Sequence, residues 1–304
     1  MKKMISKAGL AIFTGCLLLG VSSCVCIIGC GWEGGNIKYE RTVEVSTPMA
    51  GIEAFWARTE NGSITLKGED TTECRITAII QGRSFTAEQA ETLAIQTEVV
   101  LVPEGNRLKA DLQKPQIQRG ESISVSYDII LPVDTAVELH STNGAIRAEN
   151  LTQSAAAYST NGSLYLTAVK GDVTGHSTNG KVQLQEVSAK RMDLRSTNGS
   201  LSGHQVAGDL NASTTNGSIN MEYSLSAETI IQIDMSTTNG NISLTVPRKF
   251  SAQVDASTTN GRIHTDLPVT VQGKIDKSIH GTIGAGEGRL KLRTTNGNIK
   301  LYGN

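Results

Sequence analysis

Two His-Ser dipeptides are the first candidates for chemistry in this sequence. His140-Ser141 and His176-Ser177 each place a hydroxyl beside an imidazole, the combination that nucleophilic catalysis uses. Neighbouring residues of a β-strand point to opposite faces, so in strands neither serine can hydrogen-bond to its own histidine. His140, Tyr158 and His176 would share one outward column, which sets the imidazoles about 10 Å apart, too far to share a zinc ion. The sequence therefore predicts an ordinary solvated face here.

Asp172 and Asp209, in Gly-Asp-Val and Gly-Asp-Leu, are the second candidates. Glycoside hydrolysis needs two carboxylates within about 10 Å of each other in a cleft. No aromatic platform flanks this pair, and aspartate after glycine is typical of turns. Nucleotide-binding, zinc-protease, EF-hand and serine-hydrolase motifs are also missing from the sequence. We expect no catalytic residue, no metal site and no cofactor.

Composition narrows the class of protein. The chain has 304 residues, a formal net charge of −1, 19% charged residues and 4% aromatic residues. Proteins that bind nucleic acid usually carry a basic face or stacking rings, so we expect no nucleic-acid partner. With so few aromatic residues, the core must be built from Val, Ile, Leu and Ala.

The N-terminus has the order of an export signal. Lys2, Lys3 and Lys7 precede an apolar run, which ends in Val21-Ser22-Ser23-Cys24. This order resembles the lipobox of bacterial lipoproteins, which implies cleavage before Cys24 and attachment of lipid to it. Cys30, after Ile27-Ile28-Gly29, is an alternative site, and the apolar stretch 8–30 is also long enough for a transmembrane helix. We predict a signal peptide over 1–23 and a tether over 24–35, with the membrane as a partner.

Cysteine usage agrees with this division. Four of the five cysteines lie in the leader, and Cys74 is alone in the rest of the chain. One cysteine cannot form an internal disulfide framework. We predict that Cys74 packs as a small residue in a strand.

One tetrapeptide dominates the remainder of the chain. Ser-Thr-Asn-Gly or Thr-Thr-Asn-Gly recurs, and its Asn residues are 18–23 positions apart from Asn143 to Asn260. A variant contains Asn61, a degenerate copy ends at Gly281, and a last copy contains Asn296. The Asn-Gly pairs of the central array are Asn143-Gly144, Asn161-Gly162, Asn179-Gly180, Asn198-Gly199, Asn216-Gly217, Asn239-Gly240 and Asn260-Gly261.

Apolar residues alternate with polar ones on both sides of each Asn-Gly pair. They stand six and four residues before the Asn and three and five after it, which is the period of half-buried strands with one residue of phase lost at the pair. We expect a corner or bulge there, with positive φ. Repetition of Ser/Thr-Thr before every Asn favours stacked rungs with side-chain ladders. The sequence thus predicts an all-β protein, a β-solenoid of 18–23-residue rungs; a hairpin-rich β-sandwich is the alternative.

Residues 67–139 interrupt the repeat. Thr86 begins a capping-box-like start, which predicts a short helix through about Ile95, and strands are expected over 96–102, 107–113 and 122–131. We assign 36–140 to an N-terminal part with the first repeat and a capping insertion, and 141–304 to the repeat solenoid.

The repeats also predict energetics. If the Asn residues stack as corners, replacing an interior one should leave buried polar partners unpaired and cost about 1–3 kcal/mol. The same change at Asn61 or Asn296, near the ends of the array, should cost less, because a terminal corner has fewer neighbours.

The lipobox-like leader, the insertion with a helix and the S/T-T-N-G-x-[IL]-x-[LA] strands together resemble the bacterial putative-adhesin domain family. That resemblance implies an exported β-solenoid-like domain of the cell envelope, facing the periplasm or the exterior, with no catalytic residues to carry over. We expect a non-enzymatic, membrane-anchored scaffold for adhesion or surface interaction, with a protein or glycan ligand. The alternatives are an accessory of an envelope-stress response and a polysaccharide-active enzyme on a β-helix scaffold.

Overall fold

Alternating apolar residues on either side of each Asn-Gly pair form two strands, which together make one rung of a β-solenoid. The computed structural model describes residues 37–224, 231–271 and 277–304, together with the two-residue strand Cys26–Ile27. The predicted lipid-attachment residues Cys24 and Cys30 lie outside this part of the chain. The fold class predicted from the sequence is confirmed.

The described elements comprise 25 strands and one helix. In chain order they are β1 (Cys26–Ile27), β2 (Ile37–Pro48), β3 (Ala54–Thr59), β4 (Ile64–Glu69), β5 (Glu73–Ser84), α1 (Ala87–Ile95), β6 (Glu98–Glu104), β7 (Arg107–Gln113), β8 (Ser122–Pro132), β9 (Ala136–Ser141), β10 (Ile146–Leu151), β11 (Ala155–Ser159), β12 (Leu164–Val169), β13 (Val173–Ser177), β14 (Val182–Gln185), β15 (Ser188–Ser196), β16 (Leu201–Thr214), β17 (Ile219–Tyr223), β18 (Gln232–Asn239), β19 (Ile242–Val246), β20 (Ala252–Thr258), β21 (Ile263–Thr265), β22 (Val269–Val271), β23 (Ser278–Ile283), β24 (Gly288–Asn296) and β25 (Ile299–Gly303).

Two sheets face each other across the core. Strands before each Asn-Gly pair form sheet B, in the order β6-β7-β3-β9-β11-β13-β15-β16-β18-β24-β20-β23-β22. Strands after each pair form sheet A, in the order β1-β2-β5-β8-β4-β10-β12-β14-β16-β17-β19-β25-β21, and the long strand β16 runs through both sheets. Equivalent repeats pair in parallel and in register, as Ile146 does with Leu164, which excludes the hairpin-rich sandwich.

The core lies between the sheets, where the sequence predicted it. All the positions six and four before each Asn, and nearly all the apolar positions three and five after it, are buried; Ile263, in the last rung of sheet A, is half-buried. Cys74 is also buried in β5, as predicted, and its thiol is free. Burial raises the pKa of the Cys74 thiol to about 12, which keeps it protonated and unreactive.

The N-terminal end of the solenoid is covered by the predicted helix. The Thr86 hydroxyl caps α1 by accepting a hydrogen bond from the Gln89 N–H. At the other end of the helix, the Arg41 guanidinium of β2 donates to the carbonyls of Ala94, Ile95 and Thr97. Helix α1 and the antiparallel strands β2 and β5 therefore close this end of the core.

The C-terminal repeat is not the last rung of the stack. Strand β24 pairs in parallel with β18 on one side and with β20 on the other. Strand β25 likewise lies between β19 and β21. After β21, strand β23 pairs antiparallel with both β20 and β22. The chain then forms β24 and β25 between the neighbouring rungs. The expectation that Asn296 lies near an end of the array is therefore wrong, and Asn260 occupies the terminal position.

The predicted positive φ at Asn-Gly is also wrong. Left-handed residues instead occupy the opposite corner of the rung, seven positions after the Asn, in four successive repeats. They are Asn150, Ala168, Glu186 and Gln205, with φ between 53° and 59°. The Asn-Gly corner requires glycine for a steric reason instead. A Cβ on Gly180 would collide with the carbonyl oxygen of Gly162 in the preceding rung. The same clash recurs from Gly144 to Gly297.

The serine or threonine two positions before each Asn supports this close contact. Ser177 is buried; its hydroxyl donates to the Gly162 carbonyl and accepts from the Gly180 N–H, both at 2.9 Å. The Asn side chains form a separate ladder on the outside, with amide-to-amide hydrogen bonds of 2.7–2.9 Å from Asn61 to Asn260. These Asn side chains are exposed, so removing one leaves no buried polar partner unpaired, contrary to the expectation from the sequence. We therefore expect an Asn→Ala substitution in the ladder to destabilise the protein less than the sequence predicted.

Replacing Gly199 by Ala should destabilise the protein by about 3 kcal/mol, because the new Cβ overlaps the Gly180 carbonyl. Gly199→Asn should be at least as harmful, whereas a corner that required positive φ would tolerate asparagine. Urea melts of both variants measure this, and a stable Gly199→Asn protein would contradict the close-contact explanation.

The rung order predicts that Asn→Ala substitutions along the ladder destabilise the protein by different amounts. Asn296→Ala breaks two amide hydrogen bonds and should cost about 0.5–1.5 kcal/mol, as Asn198→Ala should. Asn260→Ala breaks one and should cost less. Denaturant midpoints of the three variants test the order. If Asn260→Ala costs more than Asn296→Ala, the C-terminal repeat does not lie inside the stack.

A ring-lined groove as the candidate functional site

Four rings follow one another across the outer face of sheet B. We call Trp56, His140, Tyr158 and His176 the ring column. Parallel pairing in register sets His140, Tyr158 and His176 on consecutive rungs, with Trp56 diagonally beside His140. Ring centroids are 5.8 Å apart for Trp56–His140, 4.7 Å for His140–Tyr158 and 5.5 Å for Tyr158–His176. The rings cover one another, so each is only half-exposed.

Carboxylates hold both imidazoles from one side. His140 Nε2 lies 2.8 Å from Glu138, and His176 Nε2 lies 3.2 Å from Asp193. An ionised carboxylate can only accept, so Nε2 carries the proton and Nδ1 of the neutral ring is left as an acceptor. Burial, with smaller contributions from Glu138 and Asp193, raises the pKa of the Tyr158 phenol. Tyr158 therefore remains a hydrogen-bond donor at neutral pH.

A groove runs across the rungs between the ring column and the Asn ladder. We call it the ring groove; its volume is about 370 Å³. One wall is His140, Tyr158 and His176, with Arg58 at the end. The opposite wall is the threonine that precedes each Asn, and the floor is the buried serine before it. The wall and floor residues are Thr142, Thr160, Thr178, Ser141, Ser159 and Ser177.

The two side chains of each His-Ser dipeptide lie on opposite faces of the strand, as predicted. The Ser141 hydroxyl donates to the Gly62 carbonyl inside the corner, and Ser177 does the same to Gly162. Both histidines lie on the outer face instead, and Tyr158 separates them. No group of three or more His, Cys, Asp or Glu side chains in the described part of the chain could hold a metal ion.

Asp172 and Asp209 each hydrogen-bond to the backbone of the next rung. Asp172 accepts a hydrogen bond from the Arg191 N–H of the next rung, and Asp209 accepts one from the Gln232 N–H. The carboxylates beside the ring column, Glu138 and Asp193, are three rungs apart, which is about 14 Å. That separation exceeds the span that glycoside hydrolysis uses.

Sequence reasoning identified the column of His140, Tyr158 and His176 but missed the groove beside it. The sequence did not indicate that Trp56 contacts these rings, because Trp56 lies one column away and its contact with His140 is diagonal across two strands. The usable signal was the equal offset of three ring-bearing residues from their Asn.

Within the described residues, no helix is long and apolar enough to span a membrane.

The family model that matches this sequence is described as Toastrack DUF4097, and it covers residues 34–302. The chain belongs to the Toastrack DUF4097 family. This family is named as a domain of unknown function, and its β-solenoid-like fold agrees with the stacked rungs described above. No curated protein matches the sequence.

Two solved structures that match this chain are putative adhesins. A putative adhesin from Parabacteroides distasonis is 8% identical, with a TM-score of 0.52 over 86% of this chain and 96% of that one. A putative adhesin from Bacteroides fragilis is 13% identical, with a TM-score of 0.47 over 86% of this chain and 96% of its own. The first of these shares the fold.

Proposed function

We propose that this Toastrack protein is a non-enzymatic, membrane-anchored scaffold of the bacterial cell envelope, which binds a surface ligand in the ring groove. The observation that carries the proposal is the groove itself, a row of ring, hydroxyl and cationic side chains at rung spacing on a rigid sheet. The adhesin description of the Parabacteroides distasonis structure supports an interaction role outside the cytoplasm.

Binding without catalysis fits the state of the ionisable groups. Around the ring column, Glu138 is engaged by Arg107 and His140, and Asp193 by Arg195 and His176. Side chains that are already paired in this way hold the rings in place. None of them forms the nucleophile and base pair, or the close pair of carboxylates, that hydrolysis needs.

Anchoring through lipid on Cys24 is supported by the leader and by the strand next to it. Strand β1 pairs antiparallel with Glu40 and Arg41 of β2, so the backbone is extended two residues after Cys24. A transmembrane helix that continued to Cys30 would have to include this extended segment. A tether that begins at Cys24 has no such conflict, and it faces the body of the protein outward from the membrane.

Metabolic labelling with a fatty-acid analogue tests the anchor. The full chain should be labelled, Cys24→Ser should not, and Cys30→Ser serves as the control that keeps its label. Label that persists in Cys24→Ser and disappears in Cys30→Ser would move the site. An unlabelled wild-type protein would contradict a lipid anchor.

A bulky side chain introduced into the groove tests the ligand-binding role. Thr160 and Thr215 are exposed threonines at the same position of two repeats, but only Thr160 lines the ring groove. Full-length Thr160→Trp in detergent should lose most of its binding to isolated envelopes of the producing bacterium, because the indole fills the groove. Thr215→Trp should bind as the wild type does. Equal binding by both variants, or no binding by the wild type, would contradict the proposed function.

A further inference from the structure

The ring groove presents hydrogen-bonding groups in a row that no described residue uses. The hydroxyls of Thr142, Thr160 and Thr178 follow one another at the rung spacing of about 4.8 Å. Facing them are the His140 and His176 rings, whose Nδ1 atoms are unpaired acceptors, and the Tyr158 phenol. Hydroxyl groups thus line one wall over three rungs, and imidazole and phenol groups line the other.

The chemistry of this row fits a carbohydrate chain better than a peptide. A peptide is usually held by a free sheet edge or by apolar pockets for its side chains. The groove runs across paired strands, so its floor offers no free edge, and its walls carry hydroxyl, imidazole and phenol groups. A sugar chain has hydroxyls on every residue, and a pyranose ring is similar in length to one rung spacing.

Charge at one end of the groove adds a preference. Arg58 is exposed and has no carboxylate partner in the described part of the chain. The nearby acids are occupied, Glu60 by Lys114 and Glu138 by Arg107 and His140. None of the ten side chains that line the groove is acidic. A carboxylate on the ligand could therefore meet the Arg58 guanidinium without repulsion from the walls.

We propose that the ring groove binds a carbohydrate chain that bears carboxylates, of the uronic-acid class. The Arg58 guanidinium pairs with a ligand carboxylate. The threonine hydroxyls, the phenol and the imidazole Nδ1 atoms bond to the sugar hydroxyls along three rungs. This inference rests on the proposed function and names the ligand class for the same groove.

Tetragalacturonate is the probe, and its methyl ester, in which each carboxylate is replaced by an uncharged ester, is the matched neutral ligand. The full-length protein in detergent, with Trp32→Phe, retains Trp56 as its single tryptophan and as a reporter 5.8 Å from His140. Titration of its fluorescence, repeated by calorimetry, should show binding of tetragalacturonate and about tenfold weaker binding of the methyl ester.

Two pairs of variants localise the binding. Arg58→Gln should weaken binding of tetragalacturonate about tenfold, and Tyr158→Ala should weaken binding of both ligands by a similar factor. Arg293→Gln, in the same outward column but outside the groove, and Tyr165→Ala, on sheet A, should leave both affinities unchanged. Thermal melts of the four variants confirm that each is folded.

The outcomes separate this inference from the proposed function. Envelope binding that Thr160→Trp abolishes, together with no affinity for tetragalacturonate, would overturn the ligand class and leave the groove's role intact. Equal affinity for the acid and its methyl ester would overturn the charge preference. Envelope binding that protease treatment of the envelopes removes would identify a protein ligand and overturn the carbohydrate assignment.

Discussion

The backbone contact at the Asn-Gly corner is the constraint on which the rest of the structure depends. Each corner glycine lies directly against the glycine carbonyl of the rung before it, at a distance that admits no Cβ. A buried serine or threonine hydroxyl then donates to that same carbonyl, and at Gly162 and Gly180 the serine also accepts from the corner N–H. Because both partners are buried, a rung that slipped by one residue would lose the contact and leave polar groups unpaired. The corner therefore sets the register of the parallel strands that flank it in both sheets.

A stack with fixed register still has two open ends, and this protein closes them differently. At the N-terminal end, helix α1 lies over β2 and β5, tied down by Arg41. At the other end, β22 and β23 add antiparallel strands to sheet B beside β20. The C-terminal repeat lies inside the stack, where it is paired on both sides. Free strand edges attract other chains, so both arrangements limit unwanted association.

The same register creates the candidate site. Side chains at equal offsets from Asn stand in straight columns, and a ligand meets them at intervals of one rung. Most of the column that holds His140 is Ser or Arg in the later repeats, which leaves an ordinary polar face. In the first repeats it carries rings, and the small threonines beside them leave a groove. A rigid sheet holds these groups in place before any ligand arrives, which lowers the entropic cost of binding.

The sequence by itself determined the class of fold, the inward positions, helix α1 and the existence of an Asn ladder. These features are local: strand periodicity and capping are decided by residues a few positions apart, and the repeat copies them along the chain. The order of the last rungs required the tertiary structure, since the repeats around Asn239, Asn260 and Asn296 are nearly equivalent pairing partners. The position of left-handed φ, at Ala168 and its equivalents, also required it, because that corner has no recurring glycine. The ring groove is likewise a product of the stack, since residues 18 positions apart become neighbours only after the rungs have paired.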